Sequence, residues 1–185
     1  IGVINQKGGV GKTTTAVNLA AFLAKAGRKV LLIDTDSQGN ATSGLFMERH
    51  RFEVDIYDVM MGETDVTEAI YLTSSKRLFL LPASMNLAGA EIEMVAMEER
   101  EYILKNIFDK IQSDFDYLII DCPPALGLMT LNVLSAADSI IIPIQAEFYA
   151  LEGLSQLVKT IRSVTKNLNP DLDILGILLT MFDGR

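Results

Sequence analysis

An apolar run, Ile1-Gly2-Val3-Ile4, leads directly into Lys7-Gly8-Gly9-Val10-Gly11-Lys12-Thr13-Thr14. The run reads as a strand, the glycines as a loop, and the residues from Lys12 onward as a helix. A strand, a glycine-rich loop and a helix meeting in that order gather backbone N–H groups and the positive helix end at one point. Such a point binds phosphate. The pattern therefore restricts the chain to an α/β fold with a phosphate cradle made of Gly8, Gly9, Val10, Gly11, Lys12, Thr13 and Thr14. Lys12 is placed to neutralise the β- and γ-phosphates of a nucleotide, and the Thr13 hydroxyl to ligate Mg²⁺. The loop departs from the general G-x-x-x-x-G-K-[ST] pattern, because Gln6 holds the first glycine position, and it carries a second lysine, Lys7, at its start.

The rest of the chain fits an α/β layout. Val30–Ile33, Leu78–Leu81, Tyr117–Ile120, Ser139–Ile142 and Ile174–Leu179 are short continuous apolar runs. Strands buried on both faces read this way, which predicts a mostly parallel sheet covered by helices. Amphipathic segments alternate with them. Leu104, Ile107, Phe108 and Ile111 recur at helical spacing, as do Leu151, Leu154, Leu157, Val158 and Ile161. A helix is predicted over about Lys12 to Lys25, stopped by Gly27. Strand alternating with helix gives a doubly wound fold, whose ligands bind at the C-terminal ends of the strands. The irregular, acidic stretch from Arg49 to Thr73 is expected to form short peripheral helices.

At 185 residues the chain reads as one P-loop domain spanning 1–185. Ile1 already lies inside a strand and Arg185 follows an apolar run closely, so both ends are expected to be trimmed. With 49% hydrophobic and 22% charged residues the composition is that of a globular domain, and no apolar run approaches the ~20 residues that cross a bilayer. The single cysteine, Cys122, excludes an internal disulfide and a four-cysteine metal site, and fits a reducing cytoplasm. A net charge of −8 argues against a strongly basic nucleic-acid binder, since the Lys and Arg residues are scattered. His50, between Arg49 and Arg51, reads as surface, and the methionines, Met60, Met61, Met94 and Met97 among them, as core filler.

Three strand ends carry candidate chemistry. Asp34-Thr35-Asp36-Ser37-Gln38-Gly39-Asn40 follows the second apolar run. In isolation this is ordinary turn or N-cap chemistry, although two acids at the end of a buried strand need a reason, because burying unpaired carboxylates is costly. Leu118-Ile119-Ile120-Asp121-Cys122-Pro123-Pro124 is an apolar strand ending in an acid, the usual partner of a phosphate loop, with Asp121 placed to hold Mg²⁺ directly or through water. Met181, at the end of the last run, is placed either to pack on a base or merely to finish the strand. Lys7 alone would read as a solvated loop lysine.

The form K-G-G-V-G-K-T-T, with D-T-D-S-Q-G-N and D-C-P-P, resembles the ParA/Soj/MinD group of ATPases, which carry a deviant Walker A loop. The internal segments Gly39–Leu45, Leu87–Glu93 and Ala150–Leu154 resemble the Soj/ParA partition type more than MinD, and the likeness runs over essentially the whole chain. It implies an ATP hydrolase cycling between ATP and ADP with Mg²⁺ held at Thr13, Asp34 and Asp121. Asp36 would position the attacking water, with Asp34 nearer the metal through a water or a hydrogen bond. Gly127 would be a hinge sensing the γ-phosphate. Lys7 would reach across an ATP-dependent homodimer to the other subunit's nucleotide, making Lys7, Lys12 and Asp36 the catalytic set. Gln145 and Glu147, in P-I-Q-A-E, would contact the partner or the nucleotide, unless they only cap the following helix. The likeness further implies a ParB/Spo0J-type stimulating protein, nonspecific DNA binding by the full-length protein, no membrane partner, and a cytoplasmic, nucleoid-associated location. In that family another strand and helices follow a position like Arg185, and they supply much of the DNA-contacting surface and part of the adenine pocket. A MinD-like membrane regulator or a nucleotide switch with little turnover are the alternatives; an iron–sulfur electron donor needs more cysteines than Cys122 provides.

Overall fold

The computed structural model describes residues 1–45, 52–146 and 150–182, and within the last span the side chains from 153 onward. His50 and Glu147 lie outside the described residues. Seven strands form one sheet in the order β3-β4-β2-β5-β1-β6-β7. They are β1 (Gly2–Val3), β2 (Val30–Asp34), β3 (Tyr71–Leu72), β4 (Leu78–Leu81), β5 (Tyr117–Asp121), β6 (Ser139–Gln145) and β7 (Asp173–Thr180). All neighbours pair parallel except β3, which runs antiparallel to β4.

The helices are α1 (Lys12–Lys25), α2 (Asn40–Leu45), α3 (Ile56–Met60), α4 (Leu87–Met94), α5 (Ile103–Phe108), α6 (Leu128–Ala136) and α7 (Ala150–Asn167). They cover both faces of the sheet, and the strand sequences explain how. Along β2, Val30 and Leu32 join a cluster with Ala16, Ala20 and Ala24 of α1, whereas Leu31 and Ile33 join a second cluster with residues of α3 to α7. Successive strand side chains point to opposite faces, so a strand lying between two helical layers must be apolar at every position. The alanine stripe of α1 lets that helix lie close to the sheet. Met60 and Met94 are buried in the second cluster, with Met61 and Met97 packed against it.

Two elements differ from the sequence expectations. Between Phe52 and Leu72, the described part of the acidic stretch, α3 and a 3-10 turn (Val66–Ala69) form as expected, but the stretch ends in β3, a two-residue strand added antiparallel at the sheet edge. The run Ile174–Leu179, expected to be buried on both faces, forms β7 at the opposite edge. Leu175, Ile177 and Leu179 are exposed, and so is Leu178 on the alternate face. A continuous apolar run reports that both faces are apolar; it does not report that something covers them.

Candidate active site

The loop after β1 sits where strand order reverses: β1 lies between β5 and β6, and β2 lies beyond β5. In a doubly wound sheet that reversal opens a crevice at the C-terminal strand ends. Gly9 and Gly11 have φ of 75° and 87°, the left-handed region that side chains disfavour, and Gly11 occupies the N-cap of α1. The loop is tied down from beneath. Asn5 Nδ2 donates to Pro143 O at 2.7 Å, while Asn5 Oδ1 accepts from Lys7 N at 3.0 Å. Thr180 Oγ1 donates to Val10 O at 2.8 Å, and Gln145 Nε2 to Gly9 O at 3.1 Å.

Lys12 is buried, and its Nζ donates to Lys7 O at 3.1 Å. The side chain thus arches back over the loop, with its charge at the point the α1 N-terminus faces. Burial lowers its pKa, and the nearby Asp121 and Asp36 oppose that shift. Lys7 is exposed, and its Nζ stands 3.4 Å from Gln145 Oε1. Gln145 therefore contacts the loop of its own chain. Gly8, Gly9, Gly11, Lys12, Thr13, Thr14, Asp36, Asn40, Pro124 and Met181 line one open cavity of about 310 Å³. Met181 sits at its rim with its Sδ 2.9 Å from Gln145 Nε2.

Behind the loop, Asp34 and Asp121 stand level on neighbouring strands, since Asp34 pairs in register with Asp121 across β2 and β5. Thr35 seals the junction by donating both N–H and Oγ1–H to Asp121 O. The two carboxylates have opposite surroundings. Asp34 Oδ2 accepts from Thr42 N and Thr42 Oγ1, both at 2.8 Å, and its Oδ1 accepts from Asp36 N at 3.1 Å. Burial raises the Asp34 pKa, against the pull of those hydrogen bonds. Thr42 Oγ1 in turn accepts from Ala83 N at 3.1 Å. Asp34 thus organises the turn that presents Asp36, whose Oδ1 accepts from Gln38 N at 3.0 Å.

Asp121 is fully buried, and among the described residues neither of its oxygens has a well-formed hydrogen bond, the Thr13 hydroxyl being the donor that bears on it. Burial pushes its pKa up to about 7, with Asp34 and Asp36 adding to the rise; the neighbouring Thr13 hydroxyl and Lys12 act the other way. A buried carboxylate with two unpaired oxygens is costly unless something cationic meets it. With the Thr13 hydroxyl beside it, this is a hard oxygen donor set of the kind that suits Mg²⁺. Cys122, next in the chain, is buried, and burial raises its thiol pKa, so it stays a neutral core side chain.

The sequence placed Lys7, Lys12, Thr13, Asp34, Asp36, Asp121 and Met181 at strand ends, and the fold brings all of them to one edge of the sheet. It adds Asn5, Thr42 and Thr180, which hold the loop and the carboxylates in place.

A family model described as an AAA domain matches residues 1–174. The sporulation initiation inhibitor protein Soj of Bacillus subtilis is 55% identical over 185 residues, all of this chain and 73% of that protein. The chromosome partitioning protein ParA of Myxococcus xanthus is 52% identical over 183 residues, 99% of this chain and 65% of that protein. A crystal structure of a cobyrinic acid a,c-diamide synthase from Mycobacterium smegmatis, with bound ADP and magnesium, superposes with a TM-score of 0.95 at 44% identity, covering 100% of this chain and 75% of that one. Identity of this extent over the whole chain means that it belongs to the Soj/ParA family of chromosome-partitioning ATPases.

Proposed function

We propose that the chain is a Mg²⁺-dependent ATP hydrolase that works as a switch in DNA partitioning. The observation that carries the reading is the pair of unpaired, buried Asp121 oxygens behind a glycine loop whose Lys12 is itself buried. A fold tolerates such an acid where a cation completes it. Asp121 and the Thr13 hydroxyl would hold Mg²⁺, with Asp34 acting from behind through the Asp36 turn. When bound, the ion neutralises charge on the β- and γ-phosphates.

The remaining roles fall to the chain's own groups. Backbone N–H groups from Gly8 to Thr14 receive the phosphate oxygens, and Lys12 Nζ bridges the β- and γ-phosphates. Asp36, in the wall of the same cavity, accepts a hydrogen bond from the attacking water and aims it at the γ-phosphorus. The bond from that phosphorus to the β–γ bridging oxygen breaks, ADP leaves with the bridging oxygen, and the water's proton passes to the released phosphate. Met181, at the cavity rim, packs on the base. Lys7, exposed at the mouth, enters the nucleotide site of a second copy, so that two nucleotides are held between two chains. DNA binding without sequence preference and a ParB-type stimulator complete the cycle in the cytoplasm.

The solution mass of the protein carrying Asp36→Ala tests this switch, with ATP–Mg²⁺ or ADP, with and without duplex DNA. An ATP-only dimer that binds DNA less tightly as salt rises is expected. A monomer in every condition would remove the shared-nucleotide arrangement, and an ATP-dependent dimer indifferent to DNA would remove the partitioning role.

A further inference from the structure

The segment from Cys122 to Gly127, which follows Asp121 and carries Pro124 into the phosphate cavity, ends at the N-terminus of α6. Gly127 is the N-cap and supplies no side-chain cap of its own. The cap comes from another helix: Glu91 Oε1, on α4, accepts from Met129 N at 3.0 Å. A carboxylate there also meets the positive end of α6. The fit is tight. A Cβ placed on Gly127 would collide with the Glu91 carboxylate, so the carboxylate would have to move. Gly127 has φ −90° and ψ −168°, which any residue can adopt, so a side chain there is opposed by the Glu91 carboxylate in its present position and not by the backbone. At the other side of the segment, Thr130 Oγ1 donates to Ala125 O, closing the loop onto α6. The loop between Asp121 and α6 is thus fixed at one end by the sheet and at the other by two contacts, the Thr130 hydroxyl within α6 and the Glu91 carboxylate from α4, of which Glu91 is the one that ties it to another helix.

We infer that Glu91 is a positioning residue: it latches the Cys122–Gly127 segment to α4 and so sets where Pro124 and the strand end at Asp121 stand against the γ-phosphate. This rests on the ATPase reading above. Opening the latch would let the segment swing without disturbing the glycine loop, which is tied separately through Asn5, Gln145 and Thr180.

The test is a double-mutant cycle on Glu91→Ala and Gly127→Ala, read by ATP turnover, ADP affinity and amide exchange at Met129. Each single variant should lower kcat about tenfold, the loss of one charge-assisted hydrogen bond, with ADP affinity unchanged and faster Met129 exchange. Gly127→Ala acts by displacing Glu91, so the double variant should be no worse than either single one. Glu91→Gln keeps an acceptor oxygen and should restore most of the turnover. Wild-type kcat in Glu91→Ala, or two defects that multiply, would overturn the latch. If the wild-type protein hydrolyses no ATP, the ATPase reading falls, and Met129 exchange judges the latch alone: faster exchange in Glu91→Ala supports it and unchanged exchange overturns it.

Discussion

Replacing Thr42 by valine tests how the two strand-end acids are held. The substitution nearly preserves shape and removes one hydroxyl. That hydroxyl donates to Asp34 Oδ2 at 2.8 Å and accepts from Ala83 N at 3.1 Å, both in the buried interior. The first bond has an acidic acceptor, so its loss costs about 1.5–3 kcal/mol; the second leaves a buried amide unpaired, at about 1–3 kcal/mol. Thr42 N still donates to Asp34 at 2.8 Å, which limits the damage. The expected total is about 2–5 kcal/mol, a large part of a typical domain's stability. Urea unfolding followed by circular dichroism should show a lower midpoint at unchanged slope. Thr42→Ser keeps the hydroxyl and should lose only about 1 kcal/mol, the order of one buried methyl. A Thr42→Val protein within about 0.5 kcal/mol of wild type would refute the assignment of Thr42 as the support of Asp34.

Three further outcomes follow from the same geometry. Asp121→Asn should raise the thermal stability of the metal-free protein at pH 8 and leave it unchanged at pH 3. The folded pKa of about 7 lies above the ordinary value of 3.8, so the native state loses stability as pH rises between those values, and asparagine carries no such penalty. Parallel pH profiles for the two proteins would contradict the burial of an uncompensated charge. Lys12→Ala should abolish measurable ATP and ADP binding by calorimetry, whereas Lys7→Ala should keep binding within about threefold, less than 1 kcal/mol, and lose the ATP-dependent dimer. A Lys7→Ala protein that still dimerises would assign the lysine to its own chain's loop.

The strand-end acids and the phosphate loop were legible because each is local: an apolar run, then an acid or a glycine-rich turn, within ten residues. Asp34 and Asp121 could be placed on one edge of the sheet from that pattern alone. Their different surroundings could not. Asp34 is satisfied by Thr42, eight positions away and across a turn, while among the described residues the Asp121 oxygens find no such donor. Thr180 supports Val10 from 170 positions away, and Glu91 caps Met129 from 38; no spacing in the sequence carries such contacts. The two-residue β3 has no periodicity to detect, and its antiparallel pairing follows from the short return between Leu72 and Leu78. The exposure of β7 was hidden for a different reason. Its residues have the composition of a covered strand, and coverage is a property of neighbours.

We propose that one cavity binds and hydrolyses Mg–ATP, with Asp36 aiming the water. Phosphate release from Mg–ATP, measured beside ATP affinity for the wild type and for Asp36→Ala, tests it most directly. The wild type should turn over ATP, and the Asp36→Ala protein should bind ATP equally well and release at least about a hundredfold less phosphate, within the usual range for a group acting on the attacking nucleophile. Equal phosphate release by the two proteins, or a wild type that binds no Mg–ATP, would contradict it.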